Sequence, residues 1–188
     1  EAIRLSNIAN ATFLGTLAPI FTMVFEIFLL KRKLSLKIVL PIIIIILGSG
    51  ILLYDDFDFS TNKTIGNFYA ILCSLWFAVC FIISDKVRKT EDTGNYSKIL
   101  YTSAAVTLFI IALFYSVDLL DYNRKNIIYI MLLGIIPNLL GHNLLYYSVK
   151  YISPTIVSCI PLGEPVIASI LAYFLFNQSI GLFVAIGG

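Results

Sequence analysis

The fold is decided by LSLKIVLPIIIIILGSGILLY, residues 34–54, a stretch whose one charged residue is Lys37. Its centre, Ile42–Leu47, is an unbroken aliphatic run. Strands of a membrane barrel alternate apolar and polar residues, so an aliphatic run of this kind predicts a helix. A helix of about 20 apolar residues is long enough to cross the hydrocarbon core of a bilayer.

The composition extends this prediction to the whole chain of 188 residues. Hydrophobic residues make up 59% of it, charged residues 13%, and the mean hydropathy is +0.93. A soluble domain of this length cannot bury so much apolar surface. The charges fall in clusters, whereas a soluble helical bundle carries them every few residues. We therefore predict an all-α, polytopic transmembrane helix bundle that has the lipid bilayer as its partner.

Two other classes of partner are not expected. The net charge of +2 comes without a basic face, so we expect no nucleic acid partner. The three cysteines lie inside apolar runs without metal or redox spacing, which favours a packing role and predicts no metal and no cofactor. These cysteines are Cys73, Cys80 and Cys159.

Six complete spans are predicted from the apolar runs. They are Ile8–Leu30, Leu34–Tyr54, Ile65–Ser84, Ile99–Val117, Ile127–Val149 and Ile152–Phe176. A seventh span opens at Ile180 and is cut off at Gly188. Because the chain opens at the edge of one span and closes inside another, we expect a fragment that is incomplete at both ends.

The charges in the connections alternate in sign along the chain. One side carries the basic residues Lys31, Arg32, Lys33, Lys37, Lys86, Arg88, Lys89, Lys98 and Lys150. The other side carries Asp55, Asp56, Asp58, Asp118 and Asp121, beside Arg124 and Lys125. Since Lys and Arg concentrate on the cytoplasmic side, the first set is predicted to be cytoplasmic and Glu1 to lie outside. We expect a multi-pass protein of the cell membrane (the cytoplasmic membrane in a prokaryote).

An internal repeat emerges when the chain is shifted by 146 residues. The shift lays Pro19 on Pro165, Phe28 on Phe174, Leu29 on Leu175 and Leu36 on Leu182. The offset contains five predicted spans, and an odd number inverts the second copy. Inverted repeats recur in secondary transporters, which place the substrate site near the midplane of the membrane.

Two stretches resemble a known family. Gly141-His142-Asn143 through Leu162-Gly163-Glu164-Pro165-Val166, followed by Ala168 and Ala172, resembles the second half of EamA-type proteins of the drug/metabolite transporter superfamily. Asn10-Ala11-Thr12 through Leu17-Ala18-Pro19-Ile20-Phe21, followed by a basic loop, is similar to the close of their first half.

The resemblance implies ten helices in two inverted repeats of five. Residues 1–54 would close the first EamA repeat with two transmembrane helices. Residues 65–188 would form four helices of the second repeat and the start of a fifth. The family commonly has a glutamate just after the fourth helix of each repeat, where this chain has Arg32 and Gln178.

Glu164 is the first candidate for substrate binding or coupling. A carboxylate inside an apolar span is costly and usually faces a cavity or a partner. Pro161 and Pro165 flank it and are predicted to bend or loosen the helix, as Pro19 is in the first repeat. The loosened backbone and the carboxylate could bind a cationic substrate group or carry a proton. The alternative is a structural carboxylate that is hydrogen-bonded to a neighbouring helix.

The fifth span supplies further candidates at a spacing of four residues: Gly134, Asn138, His142 and Tyr146. This spacing places them near one helix face. Asn138 and His142 offer donors and acceptors to a polar ligand, and histidine can relay a proton. The alternative is hydrogen bonding between helices, with the glycines allowing close approach.

Trp76 and Glu26 have simpler interpretations. Trp76 could line a cavity, although a lone tryptophan is more often a packing residue. Glu26 lies near the cytoplasmic end of its span, where it can reach the interface or pair with the basic loop at Lys31 and Arg32.

The leading hypothesis is secondary transport of a small metabolite, amino acid or drug-like solute by alternating access, coupled to protons or to exchange, and directed outward. An intramembrane enzyme would need convergent catalytic groups, but the chain has one histidine, no intramembrane aspartate and no HExxH motif, so no catalytic residue is assigned. A membrane scaffold is the third hypothesis. A small-molecule substrate and a second copy in a homodimer are the remaining partners that we expect.

Overall fold

The computed structural model describes residues 2–6, 8–33, 35–54, 64–115, 123–177 and 182–187. All regular elements in these ranges are helical. The α-helices are α1 (Ala2–Leu5), α2 (Ile8–Gly15), α3 (Ala18–Phe28), α4 (Leu36–Leu52), α5 (Thr64–Val87), α6 (Thr93–Phe114), α7 (Arg124–Leu133), α8 (Asn143–Ser148), α9 (Pro154–Cys159), α10 (Glu164–Phe176) and α11 (Leu182–Gly187). A π-helical segment, Gly134–His142, joins α7 to α8, and a 3-10 turn, Ile160–Gly163, joins α9 to α10.

Five helical stretches in the described ranges are long and apolar enough to cross a membrane. They are Asn10–Phe28, Thr64–Val87, Thr93–Phe114, Asn126–Ser148 and Pro154–Leu175. Helix α4 is a further apolar helix of 17 residues. The prediction of an all-α polytopic membrane protein is confirmed. The aspartates of the acidic side, Gln178 and the opening of the seventh span at Ile180 lie outside the described residues.

The predicted span boundaries agree with the helices to within three residues, except at the start of α6. The apolar run suggested a start at Ile99, whereas the helix begins at Thr93. Asp92 is the N-cap, and its side chain accepts a hydrogen bond of 2.7 Å from the backbone N–H of Asn95. A capped polar turn therefore extends the helix beyond its apolar part.

The chain divides into two compact units, which are described separately. The first comprises Glu1–Ile83 and Ser153–Gly188, and the second Ser84–Ile152. In the first unit α3 packs on α9 and α4 packs on α11. In the second unit α6 packs on α8, and the π segment adjoins α7 and α8.

Within the first unit, the offset of 146 residues also relates the helix boundaries. Helix α3 begins at Ala18 and α10 at Glu164, each with a proline as its second residue. Helices α4 and α11 begin at Leu36 and Leu182. Because proline cannot donate a backbone hydrogen bond and is favoured in a first helical turn, Pro19 and Pro165 both lie where a new helix starts.

The same offset relates two residues with left-handed backbone. Lys31 and Asn177 both have a φ of 53°. A left-handed conformation is uncommon for residues other than glycine, and it lets the chain turn sharply after a helix. The two segments related by this offset therefore share the turn that follows their interrupted helix as well as the interruption itself.

Candidate functional site

In the first unit, Glu164 lies at the interruption of the span Pro154–Leu175. It is the first residue of α10, directly after the 3-10 turn that contains Pro161, and its side chain is exposed. It follows the first residue of this 22-residue span by ten positions, which places it near the middle. Trp76, on α5 of the same unit, is 60% exposed.

The first unit contains a buried carboxylate, that of Glu26 on the last turn of α3. Glu26 is 0% exposed. Its Oε2 accepts hydrogen bonds from the backbone N–H of Thr155 at 3.1 Å and from the Thr155 hydroxyl at 2.6 Å. Its Oε1 lies 3.1 Å from a guanidinium nitrogen of Arg32. Both carboxylate oxygens are therefore hydrogen-bonded, which is what a buried charge requires.

This cluster is built by local features of both helices. Left-handed Lys31 turns the chain after α3, so that the backbone N–H of Arg32 reaches the carbonyl of Glu26 at 3.3 Å. On the other helix, Ser153 is the N-cap of α9 and Pro154 occupies its first turn. Thr155 follows with an N–H that has no partner within the helix, because the first N–H groups of a helix never do. Glu26 supplies that partner.

In the second unit, the π segment explains the positions of Asn138 and His142. Pro137 has no N–H, so it cannot donate to the carbonyl of Leu133 as a residue of a regular α-helix would. The Asn138 side chain donates to that carbonyl at 2.9 Å. One turn later, Nδ1 of His142 lies 2.9 Å from the carbonyl of Pro137. Both side chains thus bond to the backbone of their own segment.

Tyr146 follows the π segment and is buried against α6. Its ring meets that of Tyr96 edge to face at 5.3 Å and lies 6.3 Å from the His142 ring. The Tyr96 hydroxyl shares a 2.5 Å hydrogen bond with Ser84 Oγ. Edge-to-face aromatic pairs of this kind are common core contacts. Tyr146 therefore acts here as a packing residue between α6 and α8.

Arg88 is a buried charge that the sequence did not single out. It is 2% exposed, although its neighbours in sequence made it look like part of a basic loop. Its Nε donates to the carbonyl of Tyr146 at 3.4 Å, and a terminal nitrogen donates to the carbonyl of Glu91 at 2.5 Å. Arg88 thereby caps backbone carbonyls at the end of α8 and after α5, a role that arginine fills well with its several donors.

The glycines of the fifth span make no close contact with another helix among the described residues. Among these, a Cβ added at Gly134 would meet nothing within 4 Å, and one at Gly141 would meet only the Ile136 carbonyl oxygen of the same segment at 3.7 Å. Helices approach closely in the first unit, for example between Gly48 and Gly187. A Cβ at Gly48 would lie 2.5 Å from the Gly187 carbonyl oxygen. Nearby, the Tyr54 and Phe183 rings lie 5.4 Å apart.

The candidate residues from the sequence are thus distributed over both units. Asn138, His142 and Tyr146 lie in the second half of one span in the second unit, whereas Glu164 and Trp76 belong to the first. Within the described ranges, no three His, Cys, Asp or Glu side chains are placed to hold a metal ion.

The sequence profile of the EamA-like transporter family matches residues 1–54 and 64–188. The chain belongs to this family. The match covers both predicted repeats and confirms the resemblance that the Gly-Glu-Pro segment suggested. With the five apolar helices, it identifies a multi-pass membrane protein of the drug/metabolite transporter type.

Two further similarities agree with the family. The chain is 24% identical over 191 residues to an uncharacterized transporter of Archaeoglobus fulgidus, an alignment that covers 100% of the chain and 65% of that relative. A crystal structure of another protein matches with a TM-score of 0.82 at 18% identity, over 99% of the chain and 65% of that protein. At this identity the structural likeness shows the fold alone. The chain spans 65% of the length of both.

Proposed function

We propose that the protein is a secondary transporter that moves a small metabolite, amino acid or drug-like solute out of the cell by alternating access, coupled to protons or to exchange. The observation that carries this proposal is the paired interruption of a membrane-spanning helix, between Gly15 and Ala18 and again between Cys159 and Glu164. Membership of a transporter family supports it.

An interrupted helix inside a membrane favours transport for a physical reason. Hydrocarbon offers no hydrogen bonds, so irregular backbone is tolerated at membrane depth only where it is buried in protein or lines a cavity. Secondary transporters use such discontinuous helices to bind substrates and coupling ions near the midplane. A scaffold needs no such feature, and no catalytic activity is part of this proposal.

Within the proposed transporter, Glu164 is the residue that binds a cationic group of the solute or the coupling proton. Its position near the middle of the span, its exposure and its place at the interruption support this role. The corresponding residue of the first repeat is Ala18, so the carboxylate belongs to one repeat. We assign Asn138, His142 and Tyr146 the role of shaping the fifth span beside the solute path, and Trp76 that of a cavity wall.

The test is transport by the purified product of the complete gene, reconstituted in proteoliposomes. Uptake of a panel of labelled metabolites is followed with and without an imposed pH gradient. The matched variants are Glu164→Gln and Glu91→Gln, which each remove one exposed carboxylate, near the middle of a span and in a loop respectively.

We expect gradient-dependent uptake that Glu91→Gln retains and Glu164→Gln loses. Equal uptake by both variants would remove Glu164 from the coupling site but leave transport in place. Folded protein that transports no member of a broad panel would contradict the proposed function.

A further inference from the structure

The Glu26–Thr155 contact joins the two repeats at one end of their interrupted helices. Glu26 belongs to the first repeat and Thr155 to the second, 129 residues later, and both lie in the first compact unit. Lys31 to Lys33 follow α3, and Lys150 precedes α9. These basic residues predict that the contact lies at the cytoplasmic end of both helices.

The residues of this contact are not repeated in the sequence. Shifting Glu26 by 146 residues leads to Ala172, and shifting Thr155 back by 146 leads to Ala9. Arg32 corresponds to Gln178. An alanine pair can form neither the ion pair nor the hydroxyl–carboxylate bond. The sequence thus breaks the symmetry of the repeat at the residues that make this contact.

We propose that Glu26, Arg32 and Thr155 form a one-sided latch that holds the cytoplasmic end of α3 and α9 closed, so that the resting transporter opens to the outside. The inference rests on the proposed function, because only a protein that opens alternately to the two sides needs such a latch. Opening inward requires α3 to part from α9, which breaks both bonds between Thr155 and Glu26.

The size of the effect follows from the chemistry of the bonds. Hydrogen bonds to a charged group are worth more than neutral ones, and loss of one shifts a two-state equilibrium by about tenfold or more. Glu26→Gln removes the charge while keeping the shape of the side chain. Thr155→Val removes the hydroxyl, and Thr155→Ser keeps it.

The chain contains its own reporter for the test. Cys159 lies one turn after Thr155, half-buried, with its Sγ 3.3 Å from the Thr155 carbonyl. In a background of the complete protein in which every cysteine except Cys159 is replaced by alanine (Cys73→Ala and Cys80→Ala in this chain), Cys159 is alkylated with a membrane-impermeant maleimide. The reagent is added to inside-out vesicles, which expose the cytoplasmic face, and separately to right-side-out vesicles.

From the cytoplasmic face, we expect alkylation about tenfold faster in Glu26→Gln and Thr155→Val than in the parent, and within about twofold of it in Thr155→Ser. From the outer face, no variant should accelerate it. Rates equal to the parent in both latch variants, with folding checked by size-exclusion chromatography, would overturn the latch. An equal acceleration from both faces, or one as large in Thr155→Ser, would also overturn it.

This assay needs no solute, so its outcome is independent of the transport test. Transport with unchanged alkylation would overturn the latch and leave the proposed function in place. Accelerated alkylation from the cytoplasmic face, with no transport of any panel member, would show that the contact closes that end and would contradict the proposed transport of these solutes.

Discussion

Arg88 is a single buried charge that links two backbone segments of the second unit. It is almost fully buried at the end of α5, and it donates to the carbonyls of Tyr146 and Glu91. A buried carbonyl that loses its donor keeps its full desolvation cost. We therefore regard Arg88 as a structural residue of the second unit.

Replacing Arg88 by methionine tests this interpretation, because methionine fills a similar space without donors. We expect Arg88→Met to lower the free energy of unfolding by about 1–3 kcal/mol for the Tyr146 carbonyl alone. Lys86→Met, at an exposed position at the end of α5, is the control and should change it by no more than about 0.5 kcal/mol. Thermal unfolding in detergent, followed by circular dichroism, measures both. Equal melting temperatures would contradict the structural role.

Lys31 gives a second prediction at this scale, because its φ of 53° is a left-handed conformation that favours glycine over residues with a Cβ. The left-handed conformation costs an L-residue roughly 1–2 kcal/mol. Glycine avoids this cost but loses more backbone entropy on folding, which reduces its advantage. We expect Lys31→Gly to be more stable than Lys31→Ala by about 1 kcal/mol. Asn177→Gly should gain less over Asn177→Ala, because asparagine tolerates this conformation. Identical unfolding temperatures for Lys31→Gly and Lys31→Ala would refute the prediction.

Only some of the contacts between individual residues could be predicted from the sequence. The proximity of Glu26 to the basic loop suggested its pairing with Arg32, which the structure shows at 3.1 Å. Its bond to Thr155 lies 129 residues away along the chain, and no local pattern indicates a contact at that separation. Arg88 was grouped with the loop charges because its bond to the Tyr146 carbonyl spans 58 residues of the chain, a separation that no local pattern indicates.

At the scale of elements, the π segment depends on Pro137. Proline removes the N–H that would pair with Leu133, and the Asn138 side chain occupies that carbonyl instead. The spacing of four residues used to group Asn138 with His142 assumes the α-helical repeat of 3.6 residues. In Gly134–His142 the winding is wider, and the sequence offers Pro137 as the one local cause.

A double-mutant cycle tests the link between Pro137 and Asn138. With proline present, Asn138→Leu removes the side-chain hydrogen bond to the Leu133 carbonyl and should cost about 0.5–1.5 kcal/mol. After Pro137→Ala, the new N–H can take over that carbonyl, so the same change should cost no more than about 0.5 kcal/mol. Unfolding of the four proteins in detergent gives the coupling energy. Additive costs would show that Asn138 does not compensate for the proline.

Helices α4 and α11 give a second prediction at this scale. Gly48→Ala would place a Cβ 2.5 Å from the Gly187 carbonyl oxygen. This clash can be relieved only if helices α4 and α11 move apart. Overpacking of this kind costs about 1–3 kcal/mol. Gly15→Ala, where a Cβ would meet no described residue within 4 Å, is the control and should stabilise helix α2 by up to about 1 kcal/mol. If both variants unfolded alike, the close approach would be refuted.

At the scale of the whole molecule, hydropathy and the 146-residue offset predicted most of what is observed. The apolar runs give the helices because each must be about 20 residues long to cross the bilayer. The offset anticipates the helix starts at Leu36 and Leu182. Hydropathy could not predict that α3 packs on α9 and α4 on α11, because an apolar helix face does not specify which helix it packs against.

The claim that the molecule is an alternating-access carrier makes a prediction that a channel or scaffold does not share. A carrier returns faster when its site is loaded, so solute on the far side accelerates uptake. The measurement is uptake of one labelled solute into proteoliposomes that are empty or preloaded with the same unlabelled solute, without any ion gradient. We predict that preloading accelerates uptake and drives transient accumulation of the label. Uptake that is indifferent to preloading, or absent from well-folded protein, would contradict alternating access.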